Sequence, residues 1–329
     1  MKRLTIRGKT LLAVFGISLW LPGHFALASN LFVSSAATGN IYEFMPNGSQ
    51  STFASGLSSP EGLAFDSSGN LFEADANSGH IFEFSPSGAR STFASGLNGP
   101  CSLTFNNSGN LFETDFYSGN IYEFTPSGTR STFASGLNSP AGLAFNGSGN
   151  LFQSDLYTGN IYEFTPTGAR SIFASGLYLP SALAFDSSGN LYATIQGDSC
   201  IFEYTPGGIR STLAASFYSP NGLAFDKSGN LFVSDTETWS IYKVTPGGVE
   251  TTFATDLGNP ACLAFAPTPT PEPSTFALLA AGAIGLLGYG WRRRAARRTA
   301  QPEAQDDAPA LLSFTSQSSH RIEAQRRAA

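Results

Sequence analysis

Short hydrophobic runs alternate with clusters of Gly, Pro, Asn and Ser along most of the chain, and they recur at a fixed spacing. An Asn-Leu-Phe or Asn-Leu-Tyr triplet recurs, starting at Asn30, Asn70, Asn110, Asn150, Asn190 and Asn230. A proline recurs in step, at Pro60, Pro100, Pro140, Pro180, Pro220 and Pro260. The spacing of 40 residues contains no insertion or deletion. The chain is therefore a repeat array, although its length of 329 residues would by itself suggest two domains.

One unit, residues 140–175, shows the pattern of elements. Four short apolar or alternating runs, at 142–145, 150–154, 161–164 and 170–174, are separated by turn sequences such as Asn-Gly-Ser-Gly and Pro-Thr-Gly. Four strands joined by tight turns predict an antiparallel meander. A period of about 40 residues built from such strands is typical of a β-propeller blade.

The phase of the repeat predicts how many blades there are. The array starts at the second strand of one unit, residues 31–34, and stops after the first strand of another, residues 262–265. The last strand can complete the blade that the first one begins, which closes a ring and removes exposed edge strands. The predicted fold is an all-β, six-bladed β-propeller over residues 29–266.

The last two strands of each unit carry paired charges. Glutamate and arginine recur seven residues apart, at Glu83/Arg90, Glu123/Arg130, Glu163/Arg170 and Glu203/Arg210, and the next unit reverses the signs to Lys243/Glu250. A joint reversal predicts that these side chains are cross-strand neighbours.

The N-terminal 28 residues have a different pattern. Basic residues come first, an apolar run covers residues 11–21, and Ala26 and Ala28 frame a small-residue cleavage site. This order predicts a secretory signal peptide, residues 1–28. A signal anchor is the alternative, but the apolar run is shorter than the ~17 residues that span a bilayer.

The C-terminal part is also distinct. A proline-rich linker, 267–273, precedes an uncharged stretch, 274–291, and an arginine cluster that includes Arg292, Arg293 and Arg294. The segment 274–298 is predicted to be a transmembrane helix with the arginines in the cytoplasm. The last residues, 299–329, form a polar tail whose composition predicts disorder.

This end of the chain resembles a PEP-CTERM sorting signal. The resemblance rests on Pro271, Glu272 and Pro273, on the Gly/Ala/Leu-rich stretch, and on the arginines. It implies export, an exosortase-type membrane protease as partner, inner-membrane anchoring before processing, and then a place in the periplasm, at the cell surface or outside the cell. The polar tail departs from the family pattern.

The repeats resemble the NHL-type propeller unit, most clearly over residues 222–248, where Gly-Leu-Ala-Phe-Asp, Gly-Asn-Leu-Phe-Val-Ser-Asp and Ile-Tyr-Lys-Val-Thr-Pro-Gly-Gly follow one another. Propellers of this kind include scaffolds, ligand binders, gluconolactonase-like hydrolases and virginiamycin B lyase-like enzymes. The resemblance thus supports the fold and leaves the function open.

Charge and composition exclude several functions. Between residues 29 and 266 there are 19 acidic and 6 basic side chains, a net charge of −13, which makes nucleic acid an improbable partner. Three cysteines do not provide a disulfide framework or a four-ligand zinc site. Their places in the repeat lie in non-adjacent blades, so we expect free thiols.

Variation between repeats is concentrated in the loops between strands two and three and in the loops that lead to the next blade. These loops share one face of the predicted disc, and we expect that face to carry recognition. Its loops hold aromatic side chains that can stack on sugars or on a partner protein, namely Phe116, Tyr117, Tyr157, Tyr178, Phe217, Tyr218 and Trp239.

The residue after each repeat proline is expected at the mouth of the central channel. Glu61 and Asn221 there resemble metal-binding positions of gluconolactonase-like propellers, which implies a divalent cation such as calcium. That family adds an aspartate that acts as a base, and no aspartate stands in this column. Two oxygen ligands alone make a poor site for a hard cation.

Other candidates have structural interpretations. Asp75, Asp115, Asp155 and Asp235 recur where strand two ends, and we expect their carboxylates to accept N–H groups of the following turn. His80 lies in a turn and is expected to be a surface residue.

Two functions follow from these features. The first is a binding or structural module of the cell envelope or of the extracellular polysaccharide matrix, with no resident cofactor and with polysaccharide or an envelope protein as partner. The second is a metal-dependent lactonase-like hydrolase that uses Glu61 and Asn221. The absence of insertions favours the first, because uniform units leave little chain for a catalytic lid.

Overall fold

Each 40-residue unit forms one four-stranded antiparallel sheet in the computed structural model, which describes residues 29–214 and 216–268 together with Leu286 and Tyr289. The described residues contain six such sheets, arranged as a six-bladed β-propeller, as the spacing predicts. Consecutive blades contact one another through their inner strands, and the first and sixth blades also meet.

The strands have nearly uniform lengths. In blade 1 they are β1 (Leu31–Ser35), β2 (Asn40–Phe44), β3 (Gln50–Ala54) and β24 (Pro260–Phe265). In blades 2 and 3 they are β4 (Pro60–Phe65), β5 (Leu71–Asp75), β6 (His80–Phe84), β7 (Arg90–Ala94), β8 (Pro100–Phe105), β9 (Leu111–Asp115), β10 (Asn120–Phe124) and β11 (Arg130–Ala134). In blade 4 they are β12 (Pro140–Phe145), β13 (Leu151–Asp155), β14 (Asn160–Phe164) and β15 (Arg170–Ala174). In blades 5 and 6 they are β16 (Pro180–Phe185), β17 (Leu191–Ile195), β18 (Cys200–Tyr204), β19 (Arg210–Ala214), β20 (Pro220–Phe225), β21 (Leu231–Asp235), β22 (Ser240–Val244) and β23 (Glu250–Ala254).

Burial differs systematically between the strands of a blade. Every residue of the second strand is buried, as in β1 and β13, because both of its faces pack against neighbouring blades. The fourth strand lies at the outer edge and begins with three exposed residues in β7. The second strand therefore has no solvent-facing side, although its sequence contains polar residues.

Aromatic rings fill the space between blades. Phe152 of β13 packs edge-to-face on Phe173 of the same blade and on Phe185 of the next, both with ring centroids 5.1 Å apart. Closely similar triads recur at four other interfaces, as around Phe32 and Phe72. Edge-to-face pairs of this kind stabilise a core beyond their buried area. The abundance of phenylalanine is thus explained by the core.

The ring closes as the phase of the repeat predicts. β24 pairs antiparallel with β1 and thereby completes the blade that the N-terminal strands begin. The N–H of Ala266 donates to the carbonyl oxygen of Asn30 at 2.9 Å. The equivalent bonds in blades 2 and 6, Asp66 N–H to Asn70 and Asp226 N–H to Asn230, lie within single turns.

The third and fourth strands pair as predicted, but the charged side chains are not directly opposite. Glu83 faces Ser91 and Arg90 faces Phe84. The Arg90 guanidinium lies over the ring of Phe82, 5.1 Å from its centroid, and Arg130, Arg170 and Arg210 make the same stack. Lys243, in the unit with reversed signs, lies over Phe232 at 5.6 Å. The basic side chains therefore contact aromatic faces, and each glutamate is offset by one register position from the arginine of its pair.

Apart from Leu286 and Tyr289, the predictions for the two ends fall outside the described residues. They are the signal peptide (1–28) with Ala26 and Ala28, the segment that holds Pro271, Glu272 and Pro273, the transmembrane helix and arginine cluster (274–298), and the polar tail (299–329). In the part of the chain that the structure describes, no helix has the length and apolar character needed to cross a membrane.

Candidate functional site

The residues that follow the repeat prolines meet at the centre of the disc. A cavity of about 130 Å³ is lined by all six members of that column, Glu61, Cys101, Ala141, Ser181, Asn221 and Ala261. The column begins the innermost strand of each blade, so the ring geometry brings together residues that are 40 positions apart in sequence. The sequence thus predicted which residues line the channel.

Asn221 is held by hydrogen bonds from the neighbouring blade. Its Oδ1 accepts the Ser181 hydroxyl at 2.8 Å and the Gln196 side-chain amide at 3.2 Å. Gln196 was missed by the sequence analysis. The available signal was that blade 5 reads Ile195-Gln196-Gly197-Asp198, while blades 2, 3, 4 and 6 have aspartate at the position of Ile195.

The carboxyl of Glu61 lies where burial disfavours its charged form. Burial raises the pKa of its carboxyl to about 7, against a smaller lowering by a hydrogen bond from Ser59. Burial likewise raises the pKa of the Cys101 thiol well above its usual value and that of Cys262 to about 11. The channel wall near blade 2 therefore favours neutral side chains.

The fit of this site to a divalent cation is poor. The Asn221 Oδ1 already accepts two hydrogen bonds, and Glu61 is poorly ionised below neutral pH. Among residues 29–214 and 216–268, no group of three or more His, Cys, Asp or Glu side chains has a metal-binding arrangement. Hard cations need several free oxygen ligands.

Hydroxyl groups on the second strands connect each blade to the next beside the channel. The Ser34 hydroxyl donates to the carbonyl oxygen of Glu61 at 2.6 Å and accepts the N–H of Cys262 at 2.9 Å. Thr114, Ser154, Thr194 and Ser234 make the same two bonds in their blades. Blade 2 has Ala74 at this position and lacks the hydroxyl.

The recurrent aspartates have the structural role expected for them. Asp235 is fully buried, and its Oδ2 accepts the N–H of Tyr218 at 2.8 Å, while its Oδ1 accepts the N–H of Thr238 at 3.0 Å. One carboxylate thus joins the loop that leads into blade 6 to the loop between its second and third strands. Asp75, Asp115 and Asp155 do the same in blades 2, 3 and 4.

The loops on this side of the disc carry a set of exposed rings, which we call the aromatic face. Its members are Tyr117, Tyr157, Tyr178, Tyr218 and Trp239, whose side chains are 74%, 63%, 61%, 69% and 54% exposed. Phe116 is half-buried and packs edge-to-face on Tyr117 at 5.2 Å. Large apolar rings exposed together are typical of a recognition surface.

Phe217 does not belong to the aromatic face. It is only 5% exposed and packs against Tyr242 with centroids 5.6 Å apart. Its position in the repeat is that of Leu57, Leu97, Leu137, Leu177 and Leu257. This column points inward between blades, so the expectation that Phe217 contacts a ligand was wrong.

Trp239 has an unusual backbone. Its φ is +55°, and Gly39, Gly79, Gly119 and Gly159 occupy the same position in four other units with φ between +65° and +68°. At Gly39 an added Cβ would lie 2.4 Å from the carbonyl oxygen of Leu57. A bulky residue in the left-handed region is strained, and such strain concentrates at functional sites.

The sequence analysis overlooked two glutamates that are buried between blades. Glu73 and Glu113 are each 0% exposed, and neither carboxyl has a hydrogen-bond partner within residues 29–214 and 216–268. Burial raises the pKa of Glu73 to about 9 and that of Glu113 well above its usual range, with a further rise from Asp75 or Asp115. Gln153 has the equivalent buried place in blade 4.

The remaining candidates have ordinary surroundings. Cys101, Cys200 and Cys262 are free thiols, as expected from their places in the repeat. His80 is half-buried, and its ring stacks on Phe82 at 5.5 Å. The expectation of a solvated surface histidine was wrong, because Phe82 covers one ring face and Nδ1 is buried without a hydrogen-bond partner in the described part of the chain.

Comparison with known families identifies one segment. Residues 269–294 match the PEP-CTERM protein-sorting motif, which implies recognition by an exosortase and export through membrane-anchored processing. The motif together with the propeller fits an exported propeller protein. No curated protein matches the chain.

Solved structures confirm the fold. A chain of the nidogen/laminin complex, an NHL-type propeller, superposes with a TM-score of 0.67 at 23% identity, covering 74% of this chain and 100% of that chain. Virginiamycin B lyase from Staphylococcus aureus gives 0.54 at 17% identity, covering 63% and 77%. A gluconolactonase from Xanthomonas campestris gives 0.58 at 19%, covering 63% and 79%. At these identities the likeness shows the fold alone.

Proposed function

We propose that this protein is an exported binding module whose aromatic face engages a carbohydrate chain of the cell envelope or of the extracellular matrix. The observation that carries the proposal is the group of five exposed rings on one side of the disc. Flat rings stack on the apolar faces of sugars, and rings held on a rigid scaffold lose little entropy when they bind.

Three features of the site indicate that the loops of the aromatic face are held in defined positions. Asp235 fixes the backbone at Tyr218 and Thr238, so the rings of Tyr218 and Trp239 are presented from connected loops. The Ser199 hydroxyl donates to the carbonyl oxygen of Tyr218 at 2.8 Å and holds that loop from blade 5. Trp239 has a strained, positive φ at a position that glycine occupies in four other units.

The alternative partner of the aromatic face is an envelope protein. Exposed aromatic residues also dominate protein interfaces. The neighbouring propeller from the nidogen/laminin complex is a component of a protein–protein complex, which supports this alternative by analogy of fold. The net charge of −13 over residues 29–266 opposes a nucleic-acid partner in either case.

The test is affinity electrophoresis of residues 29–268 through a panel of polysaccharides, with Trp239→Gly as the matched variant. Glycine restores the residue found in four other units, so the fold should be kept while the ring is lost. We expect retardation by at least one polymer and about tenfold weaker binding in the variant. Equal retardation of both proteins by every polymer would contradict carbohydrate binding by the aromatic face.

A metal-dependent lactonase-like hydrolase is the second candidate. Glu61 and Asn221 line one channel, and gluconolactonases are among the structural neighbours. The hydrogen bonds to Asn221 and the raised pKa of Glu61 weigh against a calcium or other divalent site. Calorimetric titration of wild-type and Glu61→Ala proteins with calcium and manganese decides between them: micromolar binding lost in the variant supports the hydrolase, and no heat in either protein opposes it.

The maturation that we propose follows from the sorting motif. The signal peptide is removed after Ala28, the C-terminal helix anchors the chain in the inner membrane, and an exosortase cuts near Pro271, Glu272 and Pro273. The protein then resides in the periplasm, at the cell surface or outside the cell. Intact mass of the native protein tests this: a product that ends near residue 273 supports it, and a chain that continues to Ala329 opposes it.

A further inference from the structure

Because the repeats are so alike, the structure contains several versions of one pocket between neighbouring blades, on the side of the disc opposite the aromatic face. The versions between blades 3 and 4 and between blades 4 and 5 have volumes of about 210 and 290 Å³. The version between blades 6 and 1 is larger, about 480 Å³. Its blade 1 side is formed by the chain ends Ser29 and Pro267, where other blades have a tight turn.

This larger pocket, which we call the seam pocket, also differs in charge. Lys227 and Lys243 both line it, and they are the only lysines between residues 29 and 268. Five other units carry glutamate at the position of Lys243, namely Glu43, Glu83, Glu123, Glu163 and Glu203. Two departures from the repeat are thus found together in this enlarged pocket, in a domain that is strongly acidic elsewhere.

The acidic residue in the seam pocket is already engaged by backbone and amide donors. Asp226 Oδ1 accepts the N–H groups of Ser228 at 2.9 Å and Asn230 at 2.8 Å, and its Oδ2 accepts the Asn230 amide at 2.7 Å. All of these hydrogen bonds to the carboxylate come from the turn that contains Asp226. The two ammonium groups therefore dominate the charge that the pocket offers to a ligand.

Aromatic rings form the wall beside these cations. Phe232 packs edge-to-face on Phe253 and Phe265 at 5.1 and 5.2 Å, and all three line the pocket. Lys243 Nζ lies 5.6 Å from the centroid of Phe232, and Lys227 Nζ donates to the Thr268 hydroxyl at 2.6 Å. An apolar wall with ammonium groups next to it suits a ligand with a flat apolar body and one anionic group.

Export adds a further cation at this place. Removal of the signal peptide after Ala28, part of the proposed function, would leave the α-ammonium group on Ser29, which lines the seam pocket. The Ser29 hydroxyl is buried and has no hydrogen-bond partner among the residues that the structure describes. We propose that the seam pocket binds an aromatic carboxylate, a second binding site independent of the aromatic face.

The test is calorimetric titration of residues 29–268, which contain all six complete sheets, with 2-naphthoate and with its neutral analogue 2-naphthamide. We expect naphthoate to bind, more weakly at high salt, and naphthamide to bind about tenfold more weakly or not at all. Lys243→Glu restores the residue of five other units and should weaken naphthoate binding by about tenfold or more. Lys227→Ser, with the serine found in blades 2 and 5, should weaken it less, because Lys227 also donates to Thr268.

Arg170→Gln, on the outer edge of blade 4, is the control and should bind as wild type does. The proposal is overturned by absence of naphthoate binding, by equal affinity for the amide, by unchanged affinity in Lys243→Glu, or by binding of galacturonate in place of naphthoate. Trp239→Gly should bind naphthoate normally. Loss of naphthoate binding with intact polysaccharide binding, or the reverse, therefore separates the failure of one site from the failure of the other.

Discussion

The hydroxyl of Ser34 accepts the N–H of Cys262 at 2.9 Å, although the two residues are 228 positions apart in the chain. The same hydroxyl donates to Glu61 in the next blade. One serine thus joins the first strand of the propeller, the last strand, and blade 2. Ring closure depends on buried polar contacts of this kind as well as on the backbone pairing of β24 with β1.

Ser34→Ala should lower the free energy of unfolding by about 1–3 kcal/mol, because it leaves a buried N–H and a buried carbonyl without their partner. Urea unfolding of residues 29–268 measures this. The reverse change, Ala74→Ser, installs the missing hydroxyl in blade 2 and should stabilise the domain by about 1 kcal/mol. An unchanged midpoint in both variants would show that the hydroxyl column is energetically neutral.

Deletion of residues 261–265 should unfold the domain, because β1 would lose its partner strand and Leu263 would leave the cluster formed by Leu31, Val33 and Phe44. Circular dichroism during heating measures the melting temperature of the truncated and wild-type proteins. A truncated protein that melts at the wild-type temperature would contradict closure by the C-terminal strand.

Stability should fall as the pH rises, because Glu73 keeps its proton in the folded state. Its pKa is raised from 4.5 to about 9, so between these values the unfolded chain releases a proton that the folded chain retains. The free energy of unfolding should fall by about 1.4 kcal/mol per pH unit in that range on account of Glu73. Urea unfolding at pH 6 and about pH 8.5 measures the slope.

The matched variant for this pH dependence is Glu73→Gln with Glu113→Gln, since Gln153 already occupies the equivalent place in blade 4. The double variant should be more stable than wild type at alkaline pH and should have a flatter pH profile. A profile that is identical in both proteins would mean that these carboxyls are ionised or hydrated in the folded protein.

Phe217→Leu should leave polysaccharide retardation unchanged, because the side chain is buried in the inter-blade core. The change in stability should be below about 1.5 kcal/mol, since leucine serves in five other units. Tyr218→Ser alters the next residue, which is exposed, and should weaken binding. Weaker polysaccharide binding by Phe217→Leu at wild-type stability would show that Phe217 is part of the binding surface.

The sequence predicted the fold closely, because each 40-residue repeat corresponds to one blade. It also predicted the channel column and the role of the aspartates, since both follow from position within a unit. Glu73 was missed because polar residues in alternation suggest a solvent-facing side, whereas the second strand of a blade is covered on both sides. Gln196 was missed because its contact with Asn221 depends on the spacing of adjacent blades.

The hydrogen bond from Ala266 N–H to Asn30 is equivalent to the bond that closes the turn between the first two strands of every other blade. The chain ends thus occupy the place of a missing turn. A three-residue Ser-Ser-Gly bridge, as between Asp66 and Asn70, would join them into an unbroken circle. Any of the other five turns could then be opened to give new termini, so the propeller itself has no obligatory first blade. In the present chain, the propeller begins and ends on the side of the disc opposite the aromatic face.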